Sequence, residues 1–182
     1  YAVLNSDVSF LCVGTPSLRN GKLDLGHIEP VCREIGTVLA KKNAFHLVVL
    51  RSTVLPGTAE TIVVPTLEKS SRKKLGQDFG VCVNPEFMRE GTAVADFLEP
   101  VVTVIGAAEP THSARLRELY KWAPGRIFET SFRSAEMVKY VCNAWHALKV
   151  SFANEFGTLA KELQVDAASI VEIFTADTKL NI

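Results

Sequence analysis

Three short apolar runs punctuate the first half of the chain, and each gives way to polar, turn-forming residues. Val8 to Val13 leads into Gly14-Thr15-Pro16, His46 to Leu50 into Arg51-Ser52-Thr53, and Phe79 to Val83 into Asn84-Pro85-Glu86. Continuous apolar runs of this length, bounded by turn residues, fit parallel strands buried on both faces. Val101 to Ile105, closed by Gly106, and Ile127 to Glu129 predict two further strands. Between them, residues from about Ile28 to Lys41 place Val31, Ile35, Val38 and Leu39 on one helical face, with Pro30 in the first turn. A second helix is expected from Pro56 to Glu68, disturbed in its last turn by Pro65, and a short one from about His112 to Trp122. Strands and helices alternate, so the pattern predicts an α/β fold with a parallel sheet and helices on both faces.

After Thr130 the texture changes. From about Ser134 to Leu163 there is no proline and a single glycine, with apolar residues at helical spacing throughout. A helix of that length spans about 45 Å, more than a small domain needs, and suits a connector or an oligomer spine. Asp166 then reads as the N-cap of a last helix through Phe174. The expected division is therefore 1–131, a Rossmann-like portion, and 132–182, the start of an all-helical domain.

Composition narrows the function classes. Lys plus Arg and Asp plus Glu both number 20, so no broad basic footprint for nucleic acid or an anionic membrane exists. The basic cluster from Lys69 to Lys74 is interleaved with serines and reads as a solvated loop. No apolar run is long enough to span a bilayer, and the first residues lack the pattern of a signal peptide. Cys12, Cys32, Cys82 and Cys142 form no C-x-x-C pair and read as reduced core thiols of a cytoplasmic protein, with no metal site.

In an open parallel sheet, ligands bind at the carboxyl ends of the strands. Backbone amides near Gly14 and Pro16, and the hydroxyls of Thr15, Ser52 and Thr53, suit the ribose, phosphate or amide groups of a cofactor; the same residues also serve as ordinary turn formers. Glu86 and Glu90 stand four apart, one helical turn, and fit either a general base or carboxylates facing a helix start. On the long helix Lys139, Asn143, His146 and Asn154 share a sector of about 100° on a helix whose other positions look buried. Lys139 and Asn143 suit stabilisation of a developing alkoxide, and a solvated face is the alternative. The chain has no G-x-G-x-x-G and no P-loop.

Cys12-Val13-Gly14-Thr15-Pro16, Arg51 to Thr58, Asn84 to Gly91, and Ala135 through His146 to Phe152-Ala153-Asn154-Glu155 together resemble the UDP-glucose/GDP-mannose dehydrogenase family. The Asn143-Ala144-Trp145-His146-Ala147 and Phe152-Ala153-Asn154-Glu155 segments favour its GDP-mannose branch over the UDP-glucose branch. The resemblance implies oxidation of the sugar C6 alcohol to a carboxylate, GDP-mannose to GDP-mannuronate, by two NAD molecules in turn. It implies NAD contacts at Thr15 and Thr53, Glu90 where sugar and nicotinamide meet, and Glu86 ordering its loop or assisting hydrolysis. Lys139 and Asn143 would hold the C6 oxygen, His146 and Asn154 would contact the nucleotide sugar, and the helix 134–163 would be the spine of a homodimer. An alginate-like polysaccharide pathway is implied in turn.

Two family features are expected outside this sequence: the glycine-rich first turn before Tyr1, and the nucleophilic cysteine after Ile182. Without that thiol no thiohemiacetal forms, so the chain alone is expected to be inactive and its first strand to be an exposed, association-prone edge. Cys142, inside a helix, reads as packing. The rivals are a simple hydroxyacid dehydrogenase, which needs no thiol, and a non-catalytic oligomerisation or binding fragment.

Overall fold

The computed structural model describes residues 1–179; the last three positions of the expected 132–182 domain lie outside the described residues. Strands β1 (Val8–Leu11), β2 (His46–Leu50), β3 (Phe79–Val83), β4 (Val102–Ala107) and β5 (Arg126–Thr130) form one sheet in that order. β1, β2 and β3 run parallel, as do β4 and β5, but β3 and β4 are antiparallel, paired at Cys82–Ala107 and Val83–Gly106. The expected sheet is thus mostly parallel rather than wholly so. An apolar run records that a strand is buried, and it carries no information on direction.

Helix α1 (Ile28–Leu39) follows the apolar face read from the sequence. The helix expected from Pro56 is instead a π-helical turn (Ala59–Val63) running into α2 (Val64–Ser71). Pro65 therefore opens α2, where a missing N–H costs little, rather than disturbing a last turn. A six-residue helix α3 (Ala93–Leu98) was not anticipated, while α4 (Pro110–Leu119) starts slightly earlier than expected, again with proline in its first turn. The long helix α5 (Phe132–Glu162) has 31 residues, and α6 (Ala167–Ala176) is capped by Asp166, whose carboxylate accepts the Ala168 N–H.

Every position of β2 and β3 is buried, and successive side chains alternate between two covered faces. Val48, Leu50, Phe79, Val81 and Val83 point to a core shared with Ile28, Cys32 and Leu39 of α1, Leu67 of α2, and Phe132 and Ala135 of α5. Leu47, Val49, Cys82 and Ile105 point the other way, against Leu116 of α4 and Tyr120. α5 meets the sheet at Gly106, where a Cβ would stand 2.6 Å from that of Ala135. On the opposite face a Cβ at Gly80 would come within 2.9 Å of the His112 ring, so the strand admits that ring only because it carries no side chain there.

The chain divides into two compact units, Tyr1–Lys139 and Tyr140–Ile182. In the second, every position from 141 to 159 is exposed, which corrects the expectation that the polar stripe lies on an otherwise buried helix. The cysteines divide as well. Cys32 and Cys82 are buried, whereas Cys12 and Cys142 are exposed and are not core thiols; all four are free.

Candidate functional site at the strand rim

The carboxyl ends of β1, β2 and β3 lie on one rim, and hydrogen bonds tie their loops together. Arg51 N–H and Ser52 N–H donate to Leu11 O, and the Ser52 hydroxyl donates to Val13 O at 2.6 Å. The Thr15 hydroxyl donates to Thr53 O at 2.7 Å. The structure therefore brings Thr15, Ser52 and Thr53 together, with the Ser52 proton already committed to the β1 loop. The Thr53 hydroxyl has no partner among the described residues. Beside them an open cleft of about 820 Å³ is lined by Val13, Gly14, Thr15, Pro16, His27 and Pro30 at the start of α1. Its volume lies within the roughly 300–1,000 Å³ typical of cofactor sites. A Cβ at Gly14 would meet nothing within 4 Å, so the backbone there is open to a ligand. The helix start adds the positive end of a dipole. These features fit a dinucleotide.

The β3 loop departs from expectation. Residues 84–89 are irregular, so Glu86 and Glu90 do not stand a helical turn apart. Asn84 precedes a proline, which disfavours the helical region for it. Glu86 Oε2 instead accepts the Met88 N–H at 2.7 Å, and the Lys139 ammonium donates to both Glu86 O and Glu86 Oε1 at 2.7 Å. Burial pushes the Glu86 carboxyl up, but the Lys139 and Met88 hydrogen bonds and the charges of Lys139 and Arg51 together hold it below its ordinary value. Glu90 is exposed and has no side-chain partner among the described residues. The loop closes where Arg89 pairs with Asp96 through two guanidinium nitrogens, at 2.6 and 3.1 Å, which holds the Asp96 carboxyl well below the usual range.

Beneath this loop lies a network not anticipated from the sequence. Arg51 donates to Asn84 Oδ1 at 2.7 Å and to the Tyr120 hydroxyl at 3.0 Å, while the Tyr120 hydroxyl donates to Asn84 Oδ1 at 2.6 Å. Asn84 Nδ2 donates to Val104 O, so the side chain also spans the β3–β4 junction. A cavity of about 270 Å³ opens beside it, lined among others by Arg51, Asn84, Glu86, Phe97 and Tyr120. Tyr120 lies far along the chain, and no local spacing announces its partnership.

Glu136 is the other unanticipated residue. It is 2% exposed, and its two oxygens accept the N–H groups of Gly57 (2.5 Å) and Ala59 (2.8 Å). Burial raises its carboxyl above the ordinary value, and the two donors only partly offset that.

Asn143, His146 and Asn154 sit on the exposed part of α5 and have no side-chain partner among the described residues. Of the residues singled out in the sequence, the structure thus unites Thr15 with Ser52 and Thr53, and Glu86 with Lys139. No cluster of His, Cys, Asp and Glu suited to a metal exists among the described residues, and none of their helices is long and apolar enough to cross a membrane.

Comparison with known proteins places both segments of the chain in one family. Residues 1–123 match the NAD binding domain of the UDP-glucose/GDP-mannose dehydrogenase family, and residues 133–182 match the family's central domain. The chain is 52% identical over 181 residues to a GDP-mannose 6-dehydrogenase of Pseudomonas aeruginosa, covering 100% of this chain and 42% of that protein. It is 37% identical to a UDP-glucose 6-dehydrogenase of Haloferax volcanii, covering 98% of this chain and 43% of that one. A crystal structure of a ternary complex of GDP-mannose dehydrogenase from Pseudomonas aeruginosa superposes with a TM-score of 0.96 over 99% of this chain and 41% of its own. The chain thus spans about two fifths of the length of these relatives. With both of its segments matched in order, this chain belongs to the UDP-glucose/GDP-mannose dehydrogenase family.

Proposed function

We propose that this chain carries part of the active site of an NAD-dependent nucleotide-sugar 6-dehydrogenase, whose complete form oxidises GDP-mannose to GDP-mannuronate. The observation that carries the reading is Lys139, a buried lysine whose ammonium is held by Glu86 at the strand rim. An ammonium has three donors. Two go to Glu86, and the third has no hydrogen-bond partner among the described residues, with the centre of the Phe87 ring 5.8 Å from the ammonium, leaving one donor for a substrate oxygen.

Thr15 and Thr53, with Gly14, Pro16 and Ser52 shaping the cleft, are assigned to NAD, which when bound accepts a hydride from the alcohol carbon. Lys139 donates to the C6 oxygen and stabilises the charge it gains as its proton leaves. Glu86 fixes the direction of that ammonium, and Glu90, exposed on the same loop, is assigned to the sugar and the proton. Asn143, one turn beyond Lys139 on α5, is assigned as a second donor to the oxygen, and His146 and Asn154 as contacts of the nucleotide sugar. Greater identity to a GDP-mannose than to a UDP-glucose enzyme supports the choice of sugar; UDP-glucose is the alternative.

The second oxidation, aldehyde to acid, needs a thiol adduct. Burial pushes the Cys32 and Cys82 thiols up to about 12, which removes both as nucleophiles at neutral pH. The chain by itself is assigned binding without turnover. Exposed apolar residues along α5 support a homodimer through that helix. Four free cysteines suit a cytoplasmic setting, and the acid product suits synthesis of an alginate-like polysaccharide.

The test gives the purified chain NAD with GDP-mannose, and with UDP-glucose in parallel, and follows both binding and NADH. Binding of NAD and GDP-mannose without NADH is expected. Tighter binding of UDP-glucose would favour the alternative sugar. Failure to bind either sugar nucleotide would overturn the assignment, and two NADH per GDP-mannose would show that a thiol of this chain, Cys142 first, completes the reaction.

A further inference from the structure

Two buried charged residues three positions apart in the first turns of α5 reach different loops of the rim. Lys139 holds the β3 loop through Glu86. Glu136, which the reaction as read above does not use, holds the β2–α2 connection through the N–H groups of Gly57 and Ala59. A carboxylate stripped of water is costly unless its oxygens are hydrogen-bonded. Here both are satisfied by N–H groups at the start of a helical segment, where intrahelical acceptors are lacking. Gly57 has φ of +97°, a conformation that L side chains rarely adopt, which lets its N–H face the carboxylate. One turn earlier, Arg133 bonds Glu60 at 2.7 Å. The start of α5 thus grips both ends of the segment 57–60. The loop entering that grip carries Ser52 and Thr53, and Thr53 O receives the hydroxyl of Thr15, which lines the cleft.

We propose that Glu136 is a positioning residue for the cofactor cleft: through the Gly57 and Ala59 amides it sets the 53–58 turn, and with it the Thr15–Thr53 contact, against the helix that carries Lys139. The inference rests on the reading that this cleft takes NAD, and adds the device that registers the cleft with the Lys139 donor. Glu136→Gln keeps the side-chain volume and one acceptor oxygen but replaces the other with an amino group that faces an N–H donor.

The test compares the chain with its Glu136→Gln and Gly57→Ala forms, well below their melting temperatures, by residue-resolved amide exchange and by NAD titration. Glu136→Gln is expected to lower protection at Gly57, Ala59 and Thr61 by about tenfold, the scale of one lost charge-assisted hydrogen bond. Protection at Val48 and Val81 in the sheet stays the same, and NAD binds about tenfold more weakly. Gly57→Ala displaces the same turn from its other side and is expected to reproduce both effects, which keeps the proposal decidable if Glu136→Gln does not fold. Equal loss of protection across turn and sheet, or an unchanged NAD affinity beside a loosened turn, would overturn it. If the unmodified chain binds no NAD, the assignment of the cleft fails, and local loosening of residues 57–61 still decides whether Glu136 sets the turn.

Discussion

The first two turns of α5 and the stretch that follows share a helix-forming composition but lie in opposite environments. Phe132, Ala135, Glu136 and Lys139 are buried, and the two charged members reach named partners. From 141 to 159 every position is exposed. Val141, Trp145, Leu148, Phe152, Phe156 and Leu159, spaced by three and four residues, are each between 45% and 58% exposed and form a continuous apolar stripe. Periodicity therefore specifies that a face exists, and it does not specify what covers it. In the first turns the sheet covers the side that carries Phe132, Ala135, Glu136 and Lys139, as at Gly106; at about 100° per residue the exposed apolar stripe lies on roughly the opposite side, and such a long stripe is a mark of an interaction surface.

The largest expected effect breaks the exposed side of the comparison. If the stripe is the spine of a homodimer, Trp145→Asp combined with Leu148→Asp should weaken self-association by about a hundredfold or more, since a central aromatic anchor contributes about 2 kcal/mol or more and each introduced carboxylate adds the cost of burying an unpaired charge. Sedimentation velocity over a concentration series would read this, and unchanged association would place the interface elsewhere. On the covered side, Lys139→Met leaves the Glu86 carboxylate without its cation. It should cost about 1.5–3 kcal/mol in urea unfolding, the range for hydrogen bonds to charged groups, and abolish GDP-mannose binding. An unaltered sugar affinity would remove Lys139 from the site.

The smallest effect concerns a polar group in the covered region that has no hydrogen-bond partner among the described residues. Both ring nitrogens of His112 are in this state, with the ring packed against Gly80 and Phe45. Burial lowers its pKa from 6.5; the Glu109 charge opposes that and the Arg115 charge adds to it. Burial likewise lowers His46, with Lys42 adding and the Ser6 carbonyl and Asp7 opposing. Above pH 6.5 both histidines are neutral in either state. As pH falls below 6.5 the unfolded chain takes protons that the folded chain refuses, so stability is lost. Glu86, held below its ordinary 4.5, adds a loss only at lower pH, as pH falls through its folded value. Glu136, raised above 4.5, takes its proton first in the fold and offsets part of the decline. His112→Leu should raise stability at pH 7 by about 1 kcal/mol and flatten the limb below pH 6.5. Urea melts across that range would show it, and an unchanged slope would mean that His112 does not drive the limb.

The same contrast separates what was legible in the sequence from what was not. β2 and β3 were legible because strands buried on both faces must be apolar throughout, and the Asp166 cap because its chemistry is local; β1 shows the same apolar pattern but lies at the sheet edge with Phe10 exposed, so there the run marks a strand and not two covered faces. The reversal between β3 and β4 was not legible, since direction is set by how the segment 84–101 returns the chain. Thr15, Thr53, Glu86 and Lys139 stand out because turn chemistry at strand ends and a helical stripe mark them, and the structure joins them in two pairs, Thr15 with Thr53 and Glu86 with Lys139. The Glu86–Glu90 pair was misjudged because i, i+4 spacing presumes a helix, and Pro85 with the buried Asn84 holds that loop irregular. Tyr120 and Glu136 act on partners 36 and 77–79 residues away, and spacing is silent at that range. A lone glutamate among Ala135, Met137 and Val138, inside a segment that carries the family resemblance, was the signal for Glu136.

The most direct measurement of the contrast within α5 is residue-resolved amide exchange along that helix at two protein concentrations. Protection from Ala135 to Lys139 should be strong and independent of concentration, because these amides are bonded within the helix and the sheet of the same chain covers them. Protection between 141 and 159 should be weaker in dilute solution and rise with concentration as a second copy covers the stripe. Equal protection along the whole helix at both concentrations, or a concentration dependence confined to the first turns, would contradict the account.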